Sequence, residues 1–114
     1  MIRVEARALT ELALMLDEQF SRACETICKL NRQLVVTGMG KSGHIARKIA
    51  ATFAATGTPA IYIHPGEASH GDLGMLVTGD VLLVLSNSGN TTELQAILTY
   101  ARKNQIQIIG VAAR

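Results

Sequence analysis

Three short stretches hold most of the residues able to do chemistry. The first, Gly38-Met39-Gly40-Lys41-Ser42-Gly43, follows an apolar run and opens a helical pattern. Small residues there let a backbone approach an anion, the helix start supplies free N–H groups, and Lys41 adds a cation. The spacing also matches the dinucleotide fingerprint G-x-G-x-x-G. That reading needs an acidic residue at the end of the next strand to hold a ribose, and the position is His64. A triphosphate loop needs a glycine five positions before Gly40, where this chain has Val35. Neither nucleotide reading holds, and an anion cradle remains.

The second stretch is Ser86-Asn87-Ser88-Gly89-Asn90-Thr91-Thr92-Glu93. Its hydroxyls at Ser86, Ser88, Thr91 and Thr92 crowd the start of a helix and could donate to phosphate oxygens. Ordinary N-capping, with Glu93 as a capping-box carboxylate, accounts for one hydroxyl but not for four around a glycine. The third stretch, His64-Pro65-Gly66-Glu67-Ala68-Ser69-His70-Gly71-Asp72, puts two imidazoles and two carboxylates in one irregular loop. Neutral imidazole suits a general base or a zinc ligand. His44, at the exposed start of a helix, reads as a surface residue.

These loops need elements to position them. Leu34-Val35-Val36, Ala60-Ile61-Tyr62-Ile63, Val81 to Leu85 and Ile106 to Ala112 read as four strands. Between them, Ser42–Thr56 and Thr91–Asn104 read as helices. The alternation gives βαβ units and a doubly wound parallel sheet in the α/β class, with ligands at the carboxyl ends of the strands. Residues 4–30, free of Gly and Pro, read as one long helix with an apolar stripe at Leu9, Ala13, Leu16, Phe20, Ala23, Ile27 and Leu30. About 27 residues at 1.5 Å each make roughly 40 Å, so the helix would overhang a small domain and offer part of its apolar face to another subunit. Cys24 and Cys28 read as small buried hydrophobes on one helical face. A sheet that stops at its fourth strand leaves an open edge, which predicts that the C-terminal part of the domain is missing.

The 114 residues allow one domain, 1–114. With 48% hydrophobic and 18% charged residues, the chain has the make-up of a soluble protein. A net charge of +2 without a basic stripe predicts no nucleic-acid partner, and two Phe, two Tyr and no Trp leave nothing for bases to stack on. No run reaches the ~18 apolar residues of a membrane span, and Met1 to Glu11 lacks the apolar core of a signal peptide. The cytoplasm is the expected compartment, with no membrane partner.

At the three loops the sequence resembles the sugar isomerase (SIS) domain of the D-arabinose-5-phosphate isomerases, whose fold is flavodoxin-like. The run His64-Pro65-Gly66-Glu67 to His70-Gly71-Asp72-Leu73-Gly74 is its most specific part, joined by Gly38 to His44, Gly57-Thr58-Pro59 and Ser86 to Gly89. The resemblance implies aldose–ketose isomerisation between ribulose 5-phosphate and arabinose 5-phosphate, a step towards the Kdo sugar of lipopolysaccharide, without a required cofactor. It places Lys41 and Glu93 at essential catalytic positions and His70 at a substrate-contacting one, with catalysis assigned to all three. Gly57 and Thr58 would contact substrate, as would Ser42. Ser86, Ser88 and Thr91 would hold phosphate, and His64 would sit where an inhibitory zinc can bind. Asn90-Thr91-Thr92 departs from the family's frequent Glu-Ser-Ser, and a further catalytic Glu and His would lie beyond Arg114. A pentose 5-phosphate ligand and a homo-oligomer, dimer or tetramer, are the expected partners. A sensing module that binds the sugar phosphate without turnover is the competing expectation.

Overall fold

The computed structural model describes residues 1–68, 72–87 and 92–112. Four strands, β1 (Leu34–Gly38), β2 (Ala60–Tyr62), β3 (Val81–Ser86) and β4 (Gln107–Ala112), form one parallel sheet in the order β2-β1-β3-β4. The two central strands are the most continuously apolar runs. All residues of both are buried, as strands covered on both faces must be. Their register pairs Leu34 with Val81 and Gly38 with Leu85, so β1 and β3 end side by side.

Alternation along the strands divides the core. Leu34, Val36, Leu83 and Leu85 face α3 (Lys41–Ala55), through Ala46 and Ala50, with Ile27 of α2 (Glu18–Cys28) alongside. Val35, Leu82 and Val84 face α5 (Gln95–Lys103), through Ile97 and Ala101. Each fully buried Leu or Val contributes roughly 1.5–3 kcal/mol relative to its exposed state. The α/β doubly wound reading therefore holds, with helices on both faces. β4 is more open, with Val111 exposed.

At the amino ends of the strands, the buried Asp80 carboxylate ties β3 to β1. It accepts the Gln33 N–H at 3.3 Å and the Val77 N–H at 2.9 Å, with Arg32 Nε 3.8 Å away.

Three local expectations need correction. The leading helix is two: α1 (Ile2–Met15) and α2, with an extended Leu16 (ψ 131°) between them. Asp17 causes the restart, its carboxylate accepting the Gln19 N–H at 2.9 Å as an N-cap. The apolar stripe runs straight through this break, so periodicity could not show it. Cys24 and Cys28 are exposed rather than buried, because the sheet is met by the other side of α2, where Ile27 lies. The third helix of the sequence reading begins as a 3₁₀ turn, Thr92–Leu94, before α5. In the His-rich stretch, Pro65–Ala68 form a single helical turn, α4, and Asp72–Met75 a 3₁₀ turn.

Candidate functional site

The strand order puts the chain's topological switch point between β1 and β3. The chain leaves β1 through α3 to reach β2 on one side. It leaves β3 through α5 to reach β4 on the other. Crevices outside the carboxyl ends at such a point are where open α/β sheets bind ligands. Here the glycine loop leaves Gly38 and the serine loop continues from Ser86, next-door positions on paired strands.

The glycine loop turns at Gly40, whose φ of +59° and ψ of −126° suit only a residue without a side chain. Helix α3 starts at the next residue, with no side-chain cap. Its first-turn bonds run from Gly43 N–H to Met39 O (3.3 Å) and from His44 N–H to Gly40 O (3.2 Å). The amides of Lys41 and Ser42 find no acceptor among the described residues, and the exposed Lys41 ammonium has no ion pair there. Helix and strand come close because position 43 is glycine. A Cβ there would lie 2.8 Å from the Gly38 oxygen.

A cleft of about 500 Å³ opens between the start of α3 and the ends of β3 and β4. Lys41, Ser42, Ser86 and Asn87 supply its polar groups, and Ile45, Ile49, Leu85, Val111 and Ala112 its apolar wall. Its size is that of a small-metabolite site. A second hollow, about 390 Å³, lies at the opposite end of the sheet between α2 and the amino ends of β3 and β4. It lacks the loops and the switch-point geometry, so the cleft at the carboxyl ends is the candidate site. Free amides, a cation without an ion pair among the described residues and hydroxyls on one cleft can hold a phosphate ester while the apolar wall faces its carbon chain.

Of the residues singled out in the sequence, Lys41, Ser42 and Ser86 meet here. His70, Ser88 and Thr91 lie outside the described residues, and Glu93 is placed by its backbone in the 3₁₀ turn that leads into α5. Gly57 and Thr58 are not brought to the cleft. They end α3 at the other end of the sheet, where the Thr58 N–H bonds Phe53 O and the adjacent Pro59 carbonyl accepts the Leu34 N–H. A helix that returns the chain to the start of the next strand must finish there. His44 is exposed, as expected.

His64 follows β2, and its Nδ1 accepts the Gly66 N–H at 3.0 Å. The neutral ring then carries its proton on Nε2. Zinc on Nδ1 would displace that bond, and zinc on Nε2 would move the proton to Nδ1, against the Gly66 N–H. No group of three His, Cys, Asp or Glu side chains suited to a metal occurs among the described residues. His64 as placed brings no set of metal ligands with it among the described residues. The sequence reading also missed two side chains at the strand ends, Thr37 and Tyr62. Their hydroxyls bond the carbonyls of Ile63 (2.6 Å) and Gly38 (3.0 Å). Both sit in apolar strand patterns, where a hydroxyl gives no periodic signal. No helix of the described residues is long and apolar enough to cross a membrane.

Comparison with known proteins agrees with this geometry. The arabinose 5-phosphate isomerase KdsD of Yersinia pestis is 50% identical over 112 residues, covering 98% of this chain and 34% of that protein. Its counterpart in Francisella tularensis is 48% identical over 114 residues, covering 97% and 35%. The chain thus spans about a third of the length of these relatives. Among solved structures, an E. coli CFT073 protein in complex with arabinose 5-phosphate superposes with a TM-score of 0.91 at 39% identity, over 99% of this chain and 60% of that one. The SIS domain pattern matches residues 29–114, from the end of α2 through β4, and the chain belongs to the SIS domain family.

Proposed function

We propose that this chain binds a pentose 5-phosphate in the cleft between the start of α3 and the ends of β3 and β4, and serves the interconversion of D-arabinose 5-phosphate and D-ribulose 5-phosphate. The carrying observation is the convergence of the Lys41 and Ser42 amides, without an acceptor among the described residues, with Ser86 and Asn87 on one cleft at the switch point. The identity to arabinose 5-phosphate isomerases and the arabinose 5-phosphate complex of a structural neighbour supply the sugar.

In the reaction a base removes the proton on C2 of the aldose. The resulting enediol is reprotonated on C1, and the hydroxyl proton on O2 leaves as a proton is gained on O1. The oxygens carry developing negative charge in between, which Lys41 is suited to stabilise. Glu93 or His70 serves as the proton shuttle in this reading, and Ser88 and Thr91 complete the phosphate cradle with Ser86. The proposal extends to a single domain, to the cytoplasm, to the sugar supply of lipopolysaccharide and to a homo-oligomeric state.

The test is a titration with arabinose 5-phosphate, inorganic phosphate and NAD, followed by thermal unfolding. A ligand that binds the native state at 100 times its Kd adds about 2.7 kcal/mol of stability. A shift with the sugar phosphate and none with NAD is the expected result. A shift with NAD alone overturns the proposal. A coupled isomerase assay on the same chain separates turnover from binding alone, which is the outcome for a sensing module.

A further inference from the structure

The pairing of β1 with β2 gives out just before the cleft. Its last rung among the described bonds runs from the Ile63 N–H to the Val36 carbonyl, 3.0 Å. In a parallel ladder the next donor, facing the Gly38 carbonyl, is the N–H of residue 65. That residue is Pro65, fully buried and without an N–H. The Tyr62 hydroxyl takes over and donates to the Gly38 carbonyl at 3.0 Å. The Arg47 guanidinium, in the second turn of α3, lies over the Tyr62 ring at 4.3 Å from its centroid. Gly43 leaves the room, since a Cβ there would sit 3.0 Å from the Tyr62 oxygen.

We propose that Tyr62 is a positioning residue for the anion-binding loop, acting through the Gly38–Met39 peptide. The plane of a trans peptide points its N–H opposite to its C=O. With the Gly38 carbonyl held towards β2, the Met39 N–H faces β3, on the side of the Leu85 carbonyl that the β1–β3 register sets opposite it. Tyr62 thereby fixes the peptide from which the glycine loop leaves β1, and with it the placement of the Lys41 and Ser42 amides at the start of α3. Arg47 holds the ring at the angle from which the hydroxyl reaches. This inference rests on the proposed sugar-phosphate function for its ligand, but not for the peptide geometry.

The decisive variant is Tyr62→Phe, which keeps the ring, its packing and the Arg47 contact and removes only the hydroxyl. Two readouts are needed: amide hydrogen exchange at Met39 and Gly40 without ligand, and affinity for arabinose 5-phosphate by calorimetry. The expected result is faster exchange at these two amides and an affinity lowered about 3- to 10-fold, the range that one lost hydrogen bond spans. Amides in the core strand β3 should keep wild-type protection, which a general loss of structure would not allow. Unchanged exchange at Met39 overturns the inference, as does unchanged affinity in a variant that exchanges faster. If the wild-type chain binds no sugar phosphate, the proposed function fails. The peptide-positioning claim is then decided by the exchange readout alone. Arg47→Gln, which leaves the hydroxyl in place, should shift both readouts in the same direction but less.

Discussion

Lys41 and Gly43 stand two residues apart on α3 and contribute through opposite properties. Lys41 is exposed and has no ion pair among the described residues, so its charge is not committed to holding the fold. Lys41→Met should leave the unfolding midpoint nearly unchanged while lowering isomerisation roughly 10²-fold or more, the usual scale for losing one group that stabilises a developing oxyanion. Measuring activity and thermal unfolding on the same preparation checks both halves, and a variant of equal activity contradicts the role given to Lys41. Gly43 works by absence. A methyl group there meets the Gly38 oxygen at 2.8 Å and the Tyr62 oxygen at 3.0 Å, so Gly43→Ala must push α3 off β1. A loss of about 1–3 kcal/mol, typical of overpacking, is expected in denaturant titration. The glycines and Lys41 were legible in the sequence because backbone approach and charge depend on residue type and spacing. Tyr62 was not, because its role depends on Pro65 lacking an N–H at the one rung where Gly38 needs a donor.

At the scale of elements, all four strands and their parallel direction were legible, since uninterrupted apolar runs such as Val81 to Leu85 occur where both faces are covered. The helix break at Leu16 and Asp17 went unread because the apolar stripe keeps its phase across it. The signal was local: an Asp one residue before Glu18, the N-cap pattern of a fresh helix. Asp17→Ala should therefore cost about 1 kcal/mol, seen as a lower denaturation midpoint and reduced helicity by circular dichroism. Asp80 makes a harder test at the other end of the sheet. Its carboxylate receives two backbone N–H groups from segments 47 and 3 residues away, in full burial. Asp80→Ala leaves both donors without their acceptor, at roughly 1–3 kcal/mol each, and should lower stability more than Asp17→Ala does. Equal effects would show that the Asp80 bonds do not tie β1 to β3. Gly57 and Thr58, given a substrate contact by the family resemblance, lie at the end of the sheet away from the cleft, because α3 must return the chain to the start of β2.

For the molecule as a whole, α1 poses the question that the core does not answer. None of its residues is buried, although Leu9, Leu12, Leu14 and Met15 all lie on it. It stretches the long dimension to 44 Å and the radius of gyration to 14.5 Å, against about 13 Å for a compact chain of this length. An apolar helix left uncovered among the described residues supports the proposed homo-oligomer, in which a second copy covers it. The same fact makes the proposal cleanly testable. Because no residue of α1 is buried among the described residues, and Leu9 and Leu12 are 67% and 50% exposed, replacing these two by Lys removes no core side chain. Sedimentation velocity should show a dimer or larger species for the natural sequence and a shift towards monomer for the double variant. Any fall in unfolding temperature should then grow smaller as the natural protein is diluted, because stability gained by association follows mass action. A concentration-independent fall would instead mean that α1 supports its own chain, and the surface would need another explanation.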